Sequence, residues 1–364
     1  MATWPWVRRI NPYHRDITAA SAAWIESFKI FDPKAQATFN KGRFGLLASL
    51  AYPLATPEHF RVACDLMNLF FAFDELSDAG DEHAAQLLVD TMMDALRHPD
   101  RSRPCNEHIL GSIAKQFWER VVKVASPTSQ RHFIEAFGDY CQSVVRQARD
   151  RSSSHAHTVD SYLEVRRDNI GARPSFALLE MEMDLPDEVL SHPTVVNLTI
   201  WAIDMLLTGN DLCSYNVEQA RGDDAYNIVT VIMVQYGLDI QGAIDWVACY
   251  QTDLIAKFTA QYENLPSWGP AVDGDLKRYV LGIANWVRAD NCWSFEGGRY
   301  FGQDGPEIMH CRWVALLPKV ADTQKVLAAG PHSRALSRLE IQPGFIVFAV
   351  VCVAFVVFGL VLVH

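Results

Sequence analysis

The sequence predicts an all-α fold, and three observations carry that expectation. Clusters of Pro, Gly and Ser interrupt the chain at intervals of about 12 to 25 residues, the span of ordinary helices. Alternating strand patterns bounded by hairpin signals are absent. Leu66–Phe73, Val195–Leu207 and Tyr279–Val287 are apolar over more than one stripe, as helices at the centre of a bundle are.

Taken in order, the expected helices begin with Ala19–Phe31, Lys34–Ala51, Pro57–Asp74, Ala84–Leu96 and Asn106–Val124, the breaker His98–Pro104 separating the last two. Pro127–Arg149 has a good start signal, the Ser126 hydroxyl as N-cap ahead of a proline at the first helical position. Arg151–His155 ends it. Val159–Ile170, Ser175–Met183 and Pro193–Asp211 follow, then Tyr226–Tyr236 after the break at Gly222–Asp224. Ile240–Asn264 runs into the Leu265–Pro270 breaker, and Leu276–Asp290 and Gly305–Leu317 complete the set. A dozen helices without strands make a large α-bundle.

The C-terminus reads differently. Gly344–Val363 is uninterrupted and apolar, and only His364 follows. About 20 helical residues span about 30 Å, a bilayer's hydrocarbon thickness. Arg334 and Arg338 precede this stretch and no basic residue follows it, so the expectation is a tail anchor with the main domain in the cytosol.

Half of the 364 residues are apolar and 21% are charged, a globular composition. A net charge of −11 with no basic stripe argues against nucleic acid as a partner. Such a chain still binds an anion if a divalent metal inverts the local field. The eight cysteines show no paired or CxxC spacing, which disfavours zinc sites and disulfides and suits a reducing compartment. Met1–Tyr13 lacks the apolar core of a secretory signal.

Two carboxylate-rich segments carry the chemistry. Asp74-Glu75-Leu76-Ser77-Asp78 closes the run Leu69–Phe73, and Asp74 and Asp78 project from one helical face about 40° apart. Adjacent carboxylates repel unless a cation joins them. Asn210, Ser214 and Glu218 stand at i, i+4 and i+8, an amide, a hydroxyl and a carboxylate within about 80° of one face. Such a low-charge oxygen set suits Mg²⁺ that takes its other ligands from water and substrate phosphates. Read alone, the first motif equally suits a solvated helix end and the second a polar surface stripe. Arg166-Arg167 ahead of Gly171, and Arg299-Tyr300 after two glycines, offer guanidinium partners for phosphate oxygens or ordinary ion pairs.

With these four elements in this order, from about Trp4 to Leu317, the chain resembles the class I terpene synthases, specifically the fungal sesquiterpene synthases. Stretches such as Cys64–Phe71 and Arg173–Glu180 look most like the protoilludene synthase group. The resemblance implies a single α-helical bundle around a central apolar cavity, over residues 1–335, with 336–343 as linker and 344–363 as the membrane tail. It implies a lyase that ionises farnesyl diphosphate with three Mg²⁺ ions, held by Asp74 and by Asn210, Ser214 and Glu218. Arg167, Arg299 and Tyr300 would bind the diphosphate, Gly171 and Phe73 would contact substrate, and Asp78 would pair with an arginine on closure. Phe70, Phe73, Trp201, Trp286 and Trp293 are candidate cavity walls. Glu75 stands where many relatives have a second Asp; Leu76 and Ala72-Phe73 depart from the protoilludene pattern. Closure between C1 and C11 through a humulyl cation is the expected reaction course. Two other readings stay open: a chain-elongating prenyl diphosphate synthase, for which the second Asp-rich motif is missing, and a catalytically inactive membrane-tethered helical protein, against which the intact metal triad argues.

Overall fold

The computed structural model describes residues 3–78, 80–153 and 157–319. The helices among them are α1 (His14–Ser27), α2 (Pro33–Lys41), α3 (Phe44–Ala51), α4 (Pro57–Asp78), α5 (Glu82–Arg97), α6 (Ile109–Val121), α7 (Pro127–Ser153) and α8 (Val159–Asn169). They continue with α9 (Ala172–Ala177), α10 (Asp187–Leu190), α11 (Pro193–Arg221), α12 (Ile228–Tyr236), α13 (Ile240–Tyr262), α14 (Pro270–Glu296) and α15 (Gly305–Cys311). Short 3₁₀ turns stand at Leu178–Glu182, Asp224–Tyr226 and Gly302–Asp304, and no strand occurs among the described residues. The chain divides into a unit Met1–Leu317 and a second, Pro318–His364, of which only Pro318 and Lys319 are described.

Local chemistry sets the helix starts. Asp32, Asp81, Thr158, Asn227 and Asp239 each accept a backbone N–H of the helix they precede, satisfying one of its otherwise unpaired donors. Pro33, Pro193 and Pro270 open α2, α11 and α14 where a missing N–H costs nothing. Gly222 and Gly237 end α11 and α12 with φ of 84° and 65°, the left-handed cap that an L side chain resists.

The core is aromatic. Phe60, Phe117, Phe133 and Phe137 are wholly buried, each contributing about 1.5–3 kcal/mol by leaving water. Every residue of α3 except Gly45 is buried; the helix packs between α4 and α14. The N-terminal segment locks onto α14: Trp4 Nε1 donates to Ala284 O, Arg288 donates to the Trp4 and Trp6 carbonyls, and Arg8 forks onto Glu296.

Several expected helices have different limits, among them α1, which is His14–Ser27 rather than Ala19–Phe31, and α15, which ends at Cys311 rather than Leu317; three further differences bear on the site. Lys34–Ala51 is two helices, because Arg43 takes φ 49° and turns the chain between α2 and α3. Pro193–Asp211 runs on to Arg221, and Leu276–Asp290 begins at Pro270 and ends at Glu296; both continue through polar residues that one face of a cavity wall can carry. The expectation of a membrane-spanning helix is corrected. No helix among the described residues is long and apolar enough to cross a membrane. The longest ones carry interior charges, Asp204, Asp211 and Glu218 in α11 and Lys277, Arg278, Arg288 and Asp290 in α14, which a hydrocarbon layer penalises. Gly344–Val363 lies outside the described residues. Among the described residues the fold is the helical bundle alone, and the tail-anchored location and membrane attachment are withdrawn.

Candidate active site

On α4, Met67, Phe70, Phe71, Asp74, Glu75 and Asp78 fall at i, i+3, i+4, i+7, i+8 and i+11. They form one stripe, and all six line a cavity of about 1640 Å³. On α11 the lining stripe is Leu206, Asn210, Ser214, Glu218 and Arg221; on α14 it is Trp286, Asp290 and Trp293. Arg166 and Asn169 of α8, Gly171 after it, and Tyr140 of α7 belong to the wall as well. The volume exceeds the roughly 300–1,000 Å³ of ordinary small-molecule sites, leaving room for a long chain together with ions.

The loop after α14 ties the two acidic rims together. Trp293 Nε1 donates to Gly42 O at 2.7 Å and Gly298 N to Lys41 O at 2.9 Å, carbonyls freed by the break between α2 and α3. A Cβ on Gly298 would come within 2.8 Å of Lys41 O, so the close approach needs glycine there. Docked in this way, Arg299 places Nη2 3.2 Å from Asp74 Oδ2 and Nη1 3.6 Å from Glu75 Oε1, its guanidinium over the Phe71 ring. The next residue reaches the other rim: the Tyr300 hydroxyl accepts from Asn210 Nδ2 at 2.6 Å. Two consecutive residues therefore touch both motifs.

The electrostatics suit a cation-binding cleft. Desolvation between the cleft walls and repulsion from Asp78 push the Asp74 carboxyl up to about 6 against the pull of Arg299, although 45% of its side-chain surface stays open to the cavity. Burial raises Glu218 as well, opposed by hydrogen bonds from Ser214 and Asn227. Burial raises Asp290 to about 7. Arg166 donates to Asn169 Oδ1, Asn210 Oδ1 and Asp211 Oδ1. Burial would lower its pKa, but Asp211 outweighs that and holds it above the usual guanidinium value.

Of the residues singled out in the sequence, Asp74, Asp78, Gly171, Asn210, Ser214, Glu218, Arg299 and Tyr300 line this cavity, as do Phe70, Trp286 and Trp293. Three do not, and are corrected. Arg167 faces away and forks onto Asp204 at 2.7 and 2.8 Å, where Tyr250 also donates. Phe73 is wholly buried against Tyr140, and Trp201 packs on the core without lining the cavity. Arg166, which the sequence offered beside Arg167, lines the cavity instead, together with Asn169, Phe71 and Tyr140, which the sequence reading did not assign to the site. Stepping back from Asp74 and Asp78 in threes and fours reaches Phe71, Phe70 and Met67 but never Phe73, so the helical period held that signal.

Among the described residues no group of three or more His, Cys, Asp and Glu could hold a metal ion by itself. Any metal here would rely on Asn and Ser oxygens, on water and on a phosphorylated ligand. The donors facing the cavity are hard oxygens, with the Asp74, Glu218 and Asp290 carboxyls lifted above their ordinary values, and that set fits a hard divalent cation.

Comparison with known proteins decides the family. Residues 65–257 match the family model "Terpene synthase family 2, C-terminal metal binding". The chain belongs to the terpene synthase family. It is 49% identical over 320 residues to sesquiterpene synthase 14 of Postia placenta, covering 88% of this chain and 91% of that one. With the Delta(6)-protoilludene synthase of Armillaria gallica it shares 48% over 324 residues, covering 89% and 94%. Among solved structures, linalool/nerolidol synthase from Streptomyces clavuligerus, in complex with 2-fluorogeranyl diphosphate, superposes with a TM-score of 0.71 at 22% identity. That match covers 82% of this chain and 99% of the other and shows the shared terpene synthase fold.

Proposed function

We propose that the protein is a sesquiterpene cyclase, a carbon–oxygen lyase that ionises and cyclises (2E,6E)-farnesyl diphosphate and releases diphosphate. The observation that carries this reading is the contact of Arg299 with Asp74 and of Tyr300 with Asn210, which brings both oxygen-rich rims to the mouth of one cavity. The names of relatives about half identical to this chain support the sesquiterpene class. The several Delta(6)-protoilludene synthases among them favour 1,11-closure through a humulyl cation, to protoilludene or a related product.

Asp74 on one rim and Asn210, Ser214 and Glu218 on the other would hold Mg²⁺, three ions by family resemblance. When bound, the magnesium supplies Lewis-acid stabilisation of the departing diphosphate. Arg166, Arg299 and Tyr300 donate hydrogen bonds to the same oxygens, so charge that develops as the C–O bond breaks meets donors already in place. Arg166 takes the role that the sequence assigned to Arg167, because it faces the cavity and Arg167 does not. Below the rims, Phe70, Phe71, Trp286 and Trp293 exclude water and present ring faces to the cation.

Asp74→Ala and Asn210→Ala are the test. Each should lower Mg²⁺-dependent diphosphate release from farnesyl diphosphate by at least about 10²-fold with the helical circular dichroism unchanged. Retained turnover in both would remove the proposed metal site, and gas chromatography–mass spectrometry of the wild-type products decides the closure mode.

A further inference from the structure

Asp290 is an acid on the cavity wall that the ionisation chemistry leaves unused. It stands on α14 four residues after Trp286 and three before Trp293, so the three side chains share the helical face that lines the chamber. Its carboxylate is flanked along the helix by indoles. Across from it lies α11, where Oδ2 is 3.5 Å from the point a Cβ of Gly209 would occupy; Cys213 and Tyr300 are its electrostatic neighbours. No hydrogen bond or ion pair to Asp290 occurs among the described residues.

Most other acids on the cavity wall are paired within the protein, and Asp223 is open to water. Asp74 and Glu75 meet Arg299, Glu218 accepts from Asn227, and Glu82 accepts from Arg149. A half-buried carboxylate without a partner is costly, and the cost falls when positive charge enters beside it. In a chamber walled by aromatic rings, the substrate's own carbocation brings that charge.

We propose that Asp290 is a catalytic base, the group that ends the reaction by taking a proton from the carbon beside the cationic centre of the cyclised intermediate. The C–H bond breaks and its electron pair becomes the C=C π bond of the product. The proton passes to Asp290 Oδ, giving a neutral carboxylic acid and a neutral hydrocarbon, and the acid returns its proton to water once the product has left. This rests on the sesquiterpene cyclase reading and names within it the residue that selects the final olefin.

The experiment measures, in parallel, diphosphate released from farnesyl diphosphate with Mg²⁺ and the hydrocarbon profile by gas chromatography–mass spectrometry. It compares the full-length wild type with Asp290→Asn and Asp290→Glu. In Asp290→Asn the main wild-type product per diphosphate released should fall at least tenfold, replaced by alcohols from water capture or by olefins deprotonated earlier. Asp290→Glu, which keeps the base, should restore at least a third of the wild-type ratio. An unchanged ratio in Asp290→Asn overturns the base role, and so does a Glu variant that restores none of it, which would leave wall shape as the cause. An Asn variant with native circular dichroism that releases no diphosphate also overturns it, by placing the carboxylate in ionisation. A wild-type chain that releases no diphosphate overturns the cyclase reading itself and this role with it.

Discussion

The two rims of the cavity are built to different tolerances. On α11 the polar groups are tied into the fold. Asp211, 1% exposed, accepts from Tyr162 OH, Arg166 Nη2 and the Ile228 backbone N–H. Asn227, wholly buried, donates to Asp211 O and to Glu218 Oε2 while capping α12. On α4, by contrast, Asp74 and Glu75 keep 45% and 51% of their side-chain surface exposed, and Arg299 meets both from the docked loop. One rim is organised before any ligand arrives, and the other is free to be drawn in. Fixed donors cost no reordering during the reaction, whereas a loose carboxylate helix end lets a large substrate enter before the site tightens.

The contrast breaks first at Asp211. Asp211→Ala would strand the buried Arg166 guanidinium and remove an acceptor at the start of α12, so an unfolding free energy lower by about 3–5 kcal/mol is expected. Chemical denaturation followed by circular dichroism measures it. A loss below 1 kcal/mol would mean that the α11 rim is no better anchored than the α4 rim.

Next come the neighbouring arginines, one on each side of α8. Arg166→Ala should cut diphosphate release by about 10²-fold in the enzyme that folds, the usual cost of one preorganised donor at a site of developing charge, and should also lower stability by stranding Asp211. Arg167→Ala should leave folded enzyme turning over within about threefold of wild type. It should instead lose about 1.5–3 kcal/mol of stability, because Asp204, 1% exposed, loses its forked partner. Steady-state kinetics beside thermal denaturation separates the two, and the opposite assignment would restore Arg167 to the site.

That pair also shows where sequence reading stops. The residue types and helical spacings of both acidic motifs were legible, because i, i+4 and i+8 positions share a face whatever the tertiary context. The all-α class was legible for the same reason, since breakers and stripes are local. Choosing between Arg166 and Arg167 was not: Arg167 came with the family resemblance, and which of two adjacent side chains meets the cavity depends on how α8 packs, Arg166 against Asn210 and Asp211 and Arg167 against Asp204. The join between α2 and α3 was hidden too. Arg43 carries a positive φ with no glycine to announce it at that position, and the freed carbonyls acquire meaning only when Trp293 and Gly298, some 250 residues later, donate to them. The uninterrupted apolar tail Gly344–Val363 was a local signal as well, but it lies outside the described residues, among which no helix is long and apolar enough to cross a membrane.

The smallest expected effect sharpens the comparison most cheaply. Glu75→Gln removes the longer of the two ion pairs that Arg299 makes, with a carboxylate half open to solvent. An exposed pair contributes no more than about 1 kcal/mol, because water screens the attraction and ordering two long side chains offsets much of the rest. Thermal denaturation should therefore show a small loss at low ionic strength that vanishes at high salt, where the Debye length shrinks to about 3 Å at 1 M. The corresponding change on the other rim, Glu218→Gln, touches a carboxylate that Asn227 already holds at 2.9 Å in a buried setting, so its effect on stability should be indifferent to salt. If both variants respond to salt alike, the rims are equally solvated and the preorganised side of the site has to be sought elsewhere.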